Sequence, residues 1–311
     1  MTYEQMIKTE CTDERYDAWS EYRSKLTDYI LESAEHFYRK EKLKKLGLRR
    51  LPAGETFESL VKEQSVRPTL AIWGAGGCND IDIVRLATHF RLVLIDHNME
   101  QLQKTRMRFG LSEMQCACVD LQFWDITDDD YKMVEAMLKD GMPDEAIVEY
   151  VDTIVAGMQA HAYEMLPKFD FSICVGLASQ LNARLGMLLT LYERSGILVD
   201  YVKRLNALAV GKLTDAIEQM TKCTIVFGYE VKQLADGESI FTDQEAWSEE
   251  CSWPPENMYS EVSGNDFLSD YLAKAIVEKK FFAQSYEILT WPFANERNYL
   301  MIFGAFDWKK G

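Results

Sequence analysis

The sequence predicts an α/β protein with a doubly wound, mostly parallel sheet of seven strands. Two observations predict it. Short, continuously apolar runs alternate with helical segments, which is typical of a parallel sheet covered on both faces, and a glycine-rich turn directly follows the first run. The 311 residues are 47% hydrophobic and 27% charged, values typical of a globular chain that buries a core. The composition therefore excludes disordered and fibrous proteins.

The strands are predicted from the apolar runs. The runs are residues 69–73, 91–95, 115–119, 171–175, 224–229, 285–290 and 298–306. The gaps after the first and the second run have the length and pattern of the helix in a βαβ unit. The connection at residues 291–297 is too short for a crossover helix, so the last two strands must be antiparallel to each other.

A long helix is predicted at residues 12–45, before the first strand. Its apolar residues recur at spacings of three and four from Trp19 to Phe37, which gives the helix one apolar stripe. We therefore divide the chain into an N-terminal helical extension or lid, residues 1–50, and an α/β domain, residues 51–311.

A helical insert is predicted within the α/β domain at about residues 128–168. Pro143 opens one of its helices, with acidic residues in the first turn. His161 lies at the edge of the apolar stripe of this insert, where it is a candidate general base. The alternative for His161 is a histidine at the edge of the core, hydrogen-bonded to backbone.

The glycine-rich turn reads Gly74-Ala75-Gly76-Gly77. Missing side chains let a ligand approach the backbone, and the helix that follows offers unpaired N–H groups. Asp80 falls in the first turn of that predicted helix, where the helix dipole favours it and where it could also contact a ligand.

Two further carboxylates lie at strand ends. Asp96 ends the second predicted strand, 20 residues after Gly76, and a carboxylate there can accept hydrogen bonds from both hydroxyls of a ribose. Asp120 follows the third predicted strand, where it can accept a hydrogen bond from the amino group of an adenine. Each aspartate alone could be a helix cap. Together with the glycine turn they predict an adenosine site.

With these motifs the sequence resembles the class I S-adenosylmethionine-dependent methyltransferases. The resemblance covers residues 69–175 by motif and extends to residue 306 by strand order. It implies the strand order 3-2-1-4-5-7-6 with the last strand antiparallel, S-adenosylmethionine as cofactor, and methyl transfer as activity.

The resemblance also implies a role for individual residues. The glycine turn would run beside the methionine part of the cofactor, the second-strand acid would bind the ribose, and the third-strand acid would meet the adenine. The residues implied for the cofactor are Gly74, Ala75, Gly76, Gly77, Asp96, His97, Asp120, Leu121, Gly176 and Leu177. The sequence departs from the family pattern at Ile72, where an acid is usual, and at Cys78, where a third glycine is usual.

Two other functions share parts of this pattern. A nicotinamide dinucleotide fold has the same glycines and acid, but its fingerprint requires Gly or Ala where this chain has Asn79. A binding protein of the same fold that has lost transfer activity is favoured by Ile72 and by the absence of an identified base. The presence of both Asp96 and Asp120 counts against it.

Charge and composition restrict the partners. The net charge is −16, and no basic stripe for phosphates is present, so we expect no nucleic-acid substrate. No apolar run approaches the roughly 20 residues of a membrane span, and the first residues lack the basic region and the apolar core expected of a signal peptide. The seven cysteines are scattered without CxxC spacing, and this odd number suits reduced thiols, so a cytoplasmic location is expected. Four histidines and no paired cysteines predict no metal site.

The acceptor is expected to be a small, uncharged or cationic molecule in a partly apolar pocket. Tyr229, Trp247, Trp253 and Trp291 are predicted to reach the carboxyl edge of the sheet as pocket walls, with the N-terminal helix closing over them. Packing within the fold is the alternative for each of these aromatic residues. The oligomeric state is left open.

Overall fold

The structure is a computed structural model. It describes residues 15–48, 59–60, 67–121, 124, 126–158, 167–235, 253–255, 258–293 and 297–308. Across these ranges, no helix combines the length and the hydropathy that a membrane-spanning segment needs.

The seven strands form one sheet in the order β3-β2-β1-β4-β5-β7-β6. The strands are β1 Thr69–Trp73, β2 Arg91–Asp96, β3 Cys116–Asp120, β4 Phe169–Val175, β5 Thr221–Gln233, β6 Phe281–Pro292 and β7 Asn298–Trp308. The first five strands pair in parallel, and β7 pairs antiparallel with both β5 and β6. The strand order and the reversed last strand confirm the predicted fold.

The described helices lie before the sheet and between its strands. They are α1 Arg15–Ala18, α2 Ser20–Leu46, α3 Ile83–His89, α4 Met99–Arg108, α5 Asp128–Lys139, α6 Asp144–Gly157, α7 Ala183–Leu191, α8 Ile197–Met220 and α9 Asn265–Val277. The predicted N-terminal helix is therefore observed from residue 15, with an interruption at Trp19. Residues 1–14 lie outside the described part of the chain.

The helices α2, α3 and α4 cover one face of the sheet. Leu26 and Tyr29 of α2 are 0% exposed, and the Tyr29 hydroxyl donates a hydrogen bond of 3.0 Å to the Ser285 carbonyl of β6. The apolar stripe of α2 thus forms part of the core. At the C-terminal end, Gly47 adopts a left-handed conformation with φ +65° and caps the helix.

The opposite face of the sheet is covered by α8 and α9. Tyr229 and Trp253 belong to this second core. The ring of Trp253 lies 4.9 Å from that of Phe306, and the Tyr229 hydroxyl donates to the Met258 carbonyl at 3.1 Å. The expectation that Tyr229 and Trp253 wall an acceptor pocket is wrong, because both side chains pack into the core. Trp247 lies outside the described residues.

The predicted insert is seen as the helices α5 and α6. These helices pack against α7 and α8 in a third cluster of buried residues. The indole N–H of Trp124 donates to Asn182 Oδ1 at 3.0 Å within the cluster. Pro143 directly precedes α6, as predicted. His161 lies outside the described residues, so its candidate role stays a prediction.

Candidate functional site

The loops after β1 and β4 meet at the carboxyl edge of the sheet. Gly74 adopts a φ of +66°, and a Cβ placed there would lie 2.8 Å from Leu177 Cδ1. A side chain at position 74 would therefore require Leu177 to move. Gly76 and Gly176 also have positive φ angles, of +45° and +61°. The absence of a side chain at Gly74 thus lets the loop after β1 pack its backbone against the Leu177 side chain of the loop after β4.

Asp96 is tied to the glycine turn. Its carboxylate accepts hydrogen bonds from the backbone N–H groups of Gly76 at 3.0 Å and Asn98 at 3.2 Å, and His97 Nδ1 lies 3.1 Å from Asp96 Oδ1. Burial opposes ionisation of Asp96, but the hydrogen bonds from His97, Gly76 and Asn98 together hold its pKa below the ordinary value. Asp96 is therefore ionised and acts as an acceptor.

Asp120 lies directly beside Asp96. The two residues are register partners in the parallel pair of β2 and β3, and Asp120 is exposed. The backbone N–H of Leu121 donates to the Asp96 carbonyl at 3.2 Å, while the Leu121 side chain is 7% exposed. The His97 side chain is largely exposed. Two carboxylates thus lie side by side at the edge next to the glycine turn.

Side chains from α2 and α4 hold the outer side of the glycine turn. Thr105 Oγ1 donates to the Gly76 carbonyl at 2.7 Å, and Arg23 Nη1 donates to the Asn79 carbonyl at 3.0 Å. Thr27 Oγ1 accepts from the backbone N–H of Asp82 at 3.0 Å. These contacts could not be predicted from the sequence, because no local pattern links residues so far apart along the chain.

The segment after the glycine turn differs from the expectation. The helix α3 begins only at Ile83, and the Asp82 side chain caps it by accepting from Arg85 N at 2.9 Å. Asp80 therefore does not lie in the first helical turn, and its predicted place in the helix is wrong, while its contact with a ligand stays a prediction. Burial raises the pKa of Asp80 to about 6, with the Arg23 guanidinium opposing the shift.

Both departures from the family pattern have a structural explanation. Ile72 and Cys78 are 5% and 2% exposed and belong to the core beneath α2. Cys78 adopts the positive φ of 47° that a glycine would favour, and its Sγ lies 3.2 Å from the Ala75 carbonyl oxygen. The turn therefore forms with a cysteine instead of a glycine at position 78.

A buried carboxylate that was not predicted from the sequence lies within β5, three residues before the strand ends at Gln233. Glu230 is 5% exposed and accepts hydrogen bonds from Asn265 Nδ2 at 2.5 Å and Ser179 Oγ at 3.2 Å. Burial raises the pKa of Glu230 above its ordinary value. The sequence did contain a signal for this carboxylate. Glu230 directly follows the apolar run 224–229, just as Asp120 follows the third apolar run.

An aromatic cluster lies where α2 meets the end of β6. The ring of Tyr22 stacks on that of Trp291 with 6.0 Å between centroids, and Trp19 lies 5.2 Å from Trp291. The Tyr22 hydroxyl and the Trp291 indole N–H are buried without a hydrogen-bond partner in the described part of the chain. Burial raises the pKa of Tyr22, and the charges of Asp80 and Glu230 raise it further. Because β6 runs in the same direction as β5, the cluster at the end of β6 lies at the same edge of the sheet as the two loops.

In the ranges that the structure describes, no group of three or more His, Cys, Asp or Glu residues is placed to hold a metal ion.

No protein-family model and no curated protein sequence matches the chain. The sheet order gives the chain the class I methyltransferase fold. Among solved structures, the chain is similar to an S-adenosylmethionine-dependent methyltransferase from Methanosarcina mazei, with 9% identity, 80% of this chain and 96% of that chain covered, and a TM-score of 0.40.

A second similar structure is an S-adenosylmethionine-dependent methyltransferase from Clostridium acetobutylicum, with 10% identity and a TM-score of 0.37. The similarity covers 90% of this chain and 92% of that chain. A third is a putative RNA methyltransferase from Pyrococcus horikoshii, with 9% identity and a TM-score of 0.38. The similarity covers 78% of this chain and 76% of that chain. At such identities and TM-scores these similarities say nothing of activity or substrate.

Proposed function

We propose that this protein is an S-adenosylmethionine-dependent methyltransferase that acts on a small-molecule acceptor. One observation carries the proposal. Asp96 and Asp120 are register partners at the carboxyl edge of the sheet, and Asp96 is hydrogen-bonded to the glycine turn after β1. In open α/β sheets, ligands bind beyond this edge, and here it presents acceptors suited to a ribose and an adenine.

The residues present fit the cofactor. A Cβ at Gly76 would have no atom closer than 3.9 Å, so the turn is open to a ligand at that point. The Asp96 carboxylate has lone pairs beyond those used by its backbone donors and can accept from ribose hydroxyls. Asp120 would accept from the adenine amino group. Gly74–Gly77, Gly176 and Leu177 would border the methionine part, with His97 and Leu121 beside the ribose and the adenine.

The chemistry requires little from the protein beyond binding and orientation. S-adenosylmethionine supplies a methyl group on a positively charged sulfur, which leaves as a neutral thioether. The site residues align that methyl with the acceptor atom, and such positioning is worth about 7–11 kcal/mol in favourable cases. A base is needed only for an acceptor whose proton has a high pKa. His161 stays the candidate for that role.

A small acceptor is supported by the surroundings of the site. The net charge of −16 disfavours a phosphate backbone. The cluster of Trp19, Tyr22 and Trp291 places aromatic rings on the side of α2, although its side chains are buried in the core. An uncharged or cationic acceptor matches the aromatic groups and the carboxylates of this edge. Salt-dependent binding of RNA at physiological ionic strength would contradict this acceptor class.

Calorimetric titration of the purified protein with S-adenosylmethionine, S-adenosylhomocysteine and NADH tests the function. We expect micromolar binding of the first two ligands and none of NADH. Binding of NADH alone would refute the proposal in favour of an oxidoreductase. Binding of both sulfur ligands without turnover on any methyl acceptor would instead support an adenosine-ligand-binding protein that has lost transfer activity.

A further inference from the structure

The Glu230 carboxylate is buried, and the cofactor roles described above do not use it. Its hydrogen-bond donors, Asn265 Nδ2 and Ser179 Oγ, are neutral groups. No Lys, Arg or His in the described ranges forms an ion pair with it or shifts its pKa. Burying a carboxylate without a cation is costly. This position is therefore suited to a positively charged group from a ligand.

The location of Glu230 indicates which part of a ligand it meets. Its Oε1 lies 3.6 Å from the position that a Cβ on Gly176 would take. Ser179 Oγ is within hydrogen-bond distance of both the Gly176 carbonyl, at 3.2 Å, and Glu230. The loop that begins at Gly176 packs through Leu177 on Gly74. Glu230 thus borders the loop that begins at Gly176, one of the two loops assigned to the methionine part of the cofactor.

The surrounding polar atoms complement an ammonium group. Asn265 is 0% exposed, and its Oδ1 is buried without a partner in the part of the chain that the structure describes. Together with the carboxylate and the Gly176 carbonyl, this oxygen adds a third acceptor to the same region. An ammonium has three donors and no acceptor.

We infer that the Glu230 carboxylate, held by Ser179 and Asn265, binds the amino group of the methionine part of the cofactor. This inference rests on the proposed function. It assigns to β5 a residue that distinguishes S-adenosylmethionine and S-adenosylhomocysteine from adenosine compounds without an amino-acid tail.

The test compares two ligands on three proteins by calorimetry. S-adenosylhomocysteine carries the amino group, and 5′-methylthioadenosine lacks the whole amino-acid part. The proteins are the wild type, Glu230→Gln, and the control Glu261→Gln, which changes an exposed carboxylate on a neighbouring segment. Glutamine can keep contacts to both Ser179 and Asn265, and thermal unfolding checks that Glu230→Gln is folded.

We expect Glu230→Gln to weaken S-adenosylhomocysteine binding by about 10- to 150-fold, the usual loss for a hydrogen bond to a charged group. Binding of 5′-methylthioadenosine should be unchanged, and Glu261→Gln should bind both ligands as the wild type does. Equal losses for the two ligands would overturn the inference, because Glu230 would then shape the adenosine site. So would an unchanged affinity for S-adenosylhomocysteine. If the wild type binds neither ligand, the proposed function fails, and this inference with it.

Discussion

The backbone N–H of Gly76 donates a hydrogen bond of 3.0 Å to the Asp96 carboxylate. This contact joins the turn after β1 to the end of β2, so one side chain both supports the glycine turn and presents acceptors at the edge of the sheet. In the proposed complex the ribose would add to the hydrogen bonds that Asp96 already accepts.

Asp96→Ala is expected to weaken S-adenosylmethionine binding by roughly 10- to 150-fold, corresponding to about 1.5–3 kcal/mol for a hydrogen bond to a charged group. The fold should stay intact, because the sheet pairing of β2 does not involve the side chain. Calorimetry measures the effect, with Asp129→Ala as control, since Asp129 is an exposed residue of α5. Unchanged affinity would mean that Asp96 is only a structural support for the turn.

Gly74→Ala is expected to destabilise the protein more than Gly110→Ala. Both glycines have nearly the same φ, +66° and +64°, so the backbone cost, about 1–2 kcal/mol, is shared. Only at position 74 would the new Cβ meet Leu177, at 2.8 Å, whereas nothing lies within 4 Å of a Cβ at position 110. Urea unfolding of the two variants measures the difference. Equal losses would show that Leu177 moves aside freely.

Tyr22→Phe is expected to leave stability unchanged or slightly raised, because it removes a buried hydroxyl that has no partner in the described ranges. Tyr29→Phe is the matched control, since its hydroxyl is hydrogen-bonded to Ser285, and it should cost about 0.5–1.5 kcal/mol. Denaturant unfolding distinguishes the two. A loss for Tyr22→Phe as large as for Tyr29→Phe would place a protein partner on the Tyr22 hydroxyl.

Glu287→Gln is expected to raise stability at pH 8 and to leave it unchanged at pH 4. Burial, with the nearby Glu32 and Asp28, raises the pKa of Glu287 from 4.5 to about 7, while Lys25 opposes the shift. The folded state therefore disfavours the ionised form, and the free energy of unfolding falls as the pH rises from about 4.5 to 7.

For this partly buried group we expect a gain at pH 8 of about 1–2 kcal/mol for Glu287→Gln, below the full value of the shift because solvent screens it. Chemical denaturation across the pH range measures it, with Glu149→Gln on the exposed side of α6 as control. A gain of the same size at pH 4 would point to packing instead of charge.

The fold could be predicted from the sequence because its signals are local. The run at residues 69–73 coincides with β1, and the short connection before β7 required an antiparallel pair. The predicted β5 ended at Tyr229, but the strand continues to Gln233. Its polar residues Glu230 and Lys232 pair with β7, and no apolar pattern marks such an extension.

Some residues of the candidate site could likewise be predicted from local signals in the sequence, and others could not. Gly74, Asp96 and Asp120 could be found because each ends a predicted strand. Arg23, which donates from α2 to the Asn79 carbonyl just after the glycine turn, and Asn265, which contacts Glu230 from α9, could not be found, because only the packing of distant segments brings them there. Tertiary contacts of this kind leave no periodicity in the sequence.

The most direct test of the account is a crystal structure of the protein with bound S-adenosylhomocysteine. We expect the ribose hydroxyls within hydrogen-bond distance of the Asp96 carboxylate, the adenine amino group at Asp120, and the glycine turn of Gly74–Gly77 beside the sulfur. A ligand bound away from the carboxyl edge of the sheet, or an adenosine that makes no contact with Asp96, would contradict the account.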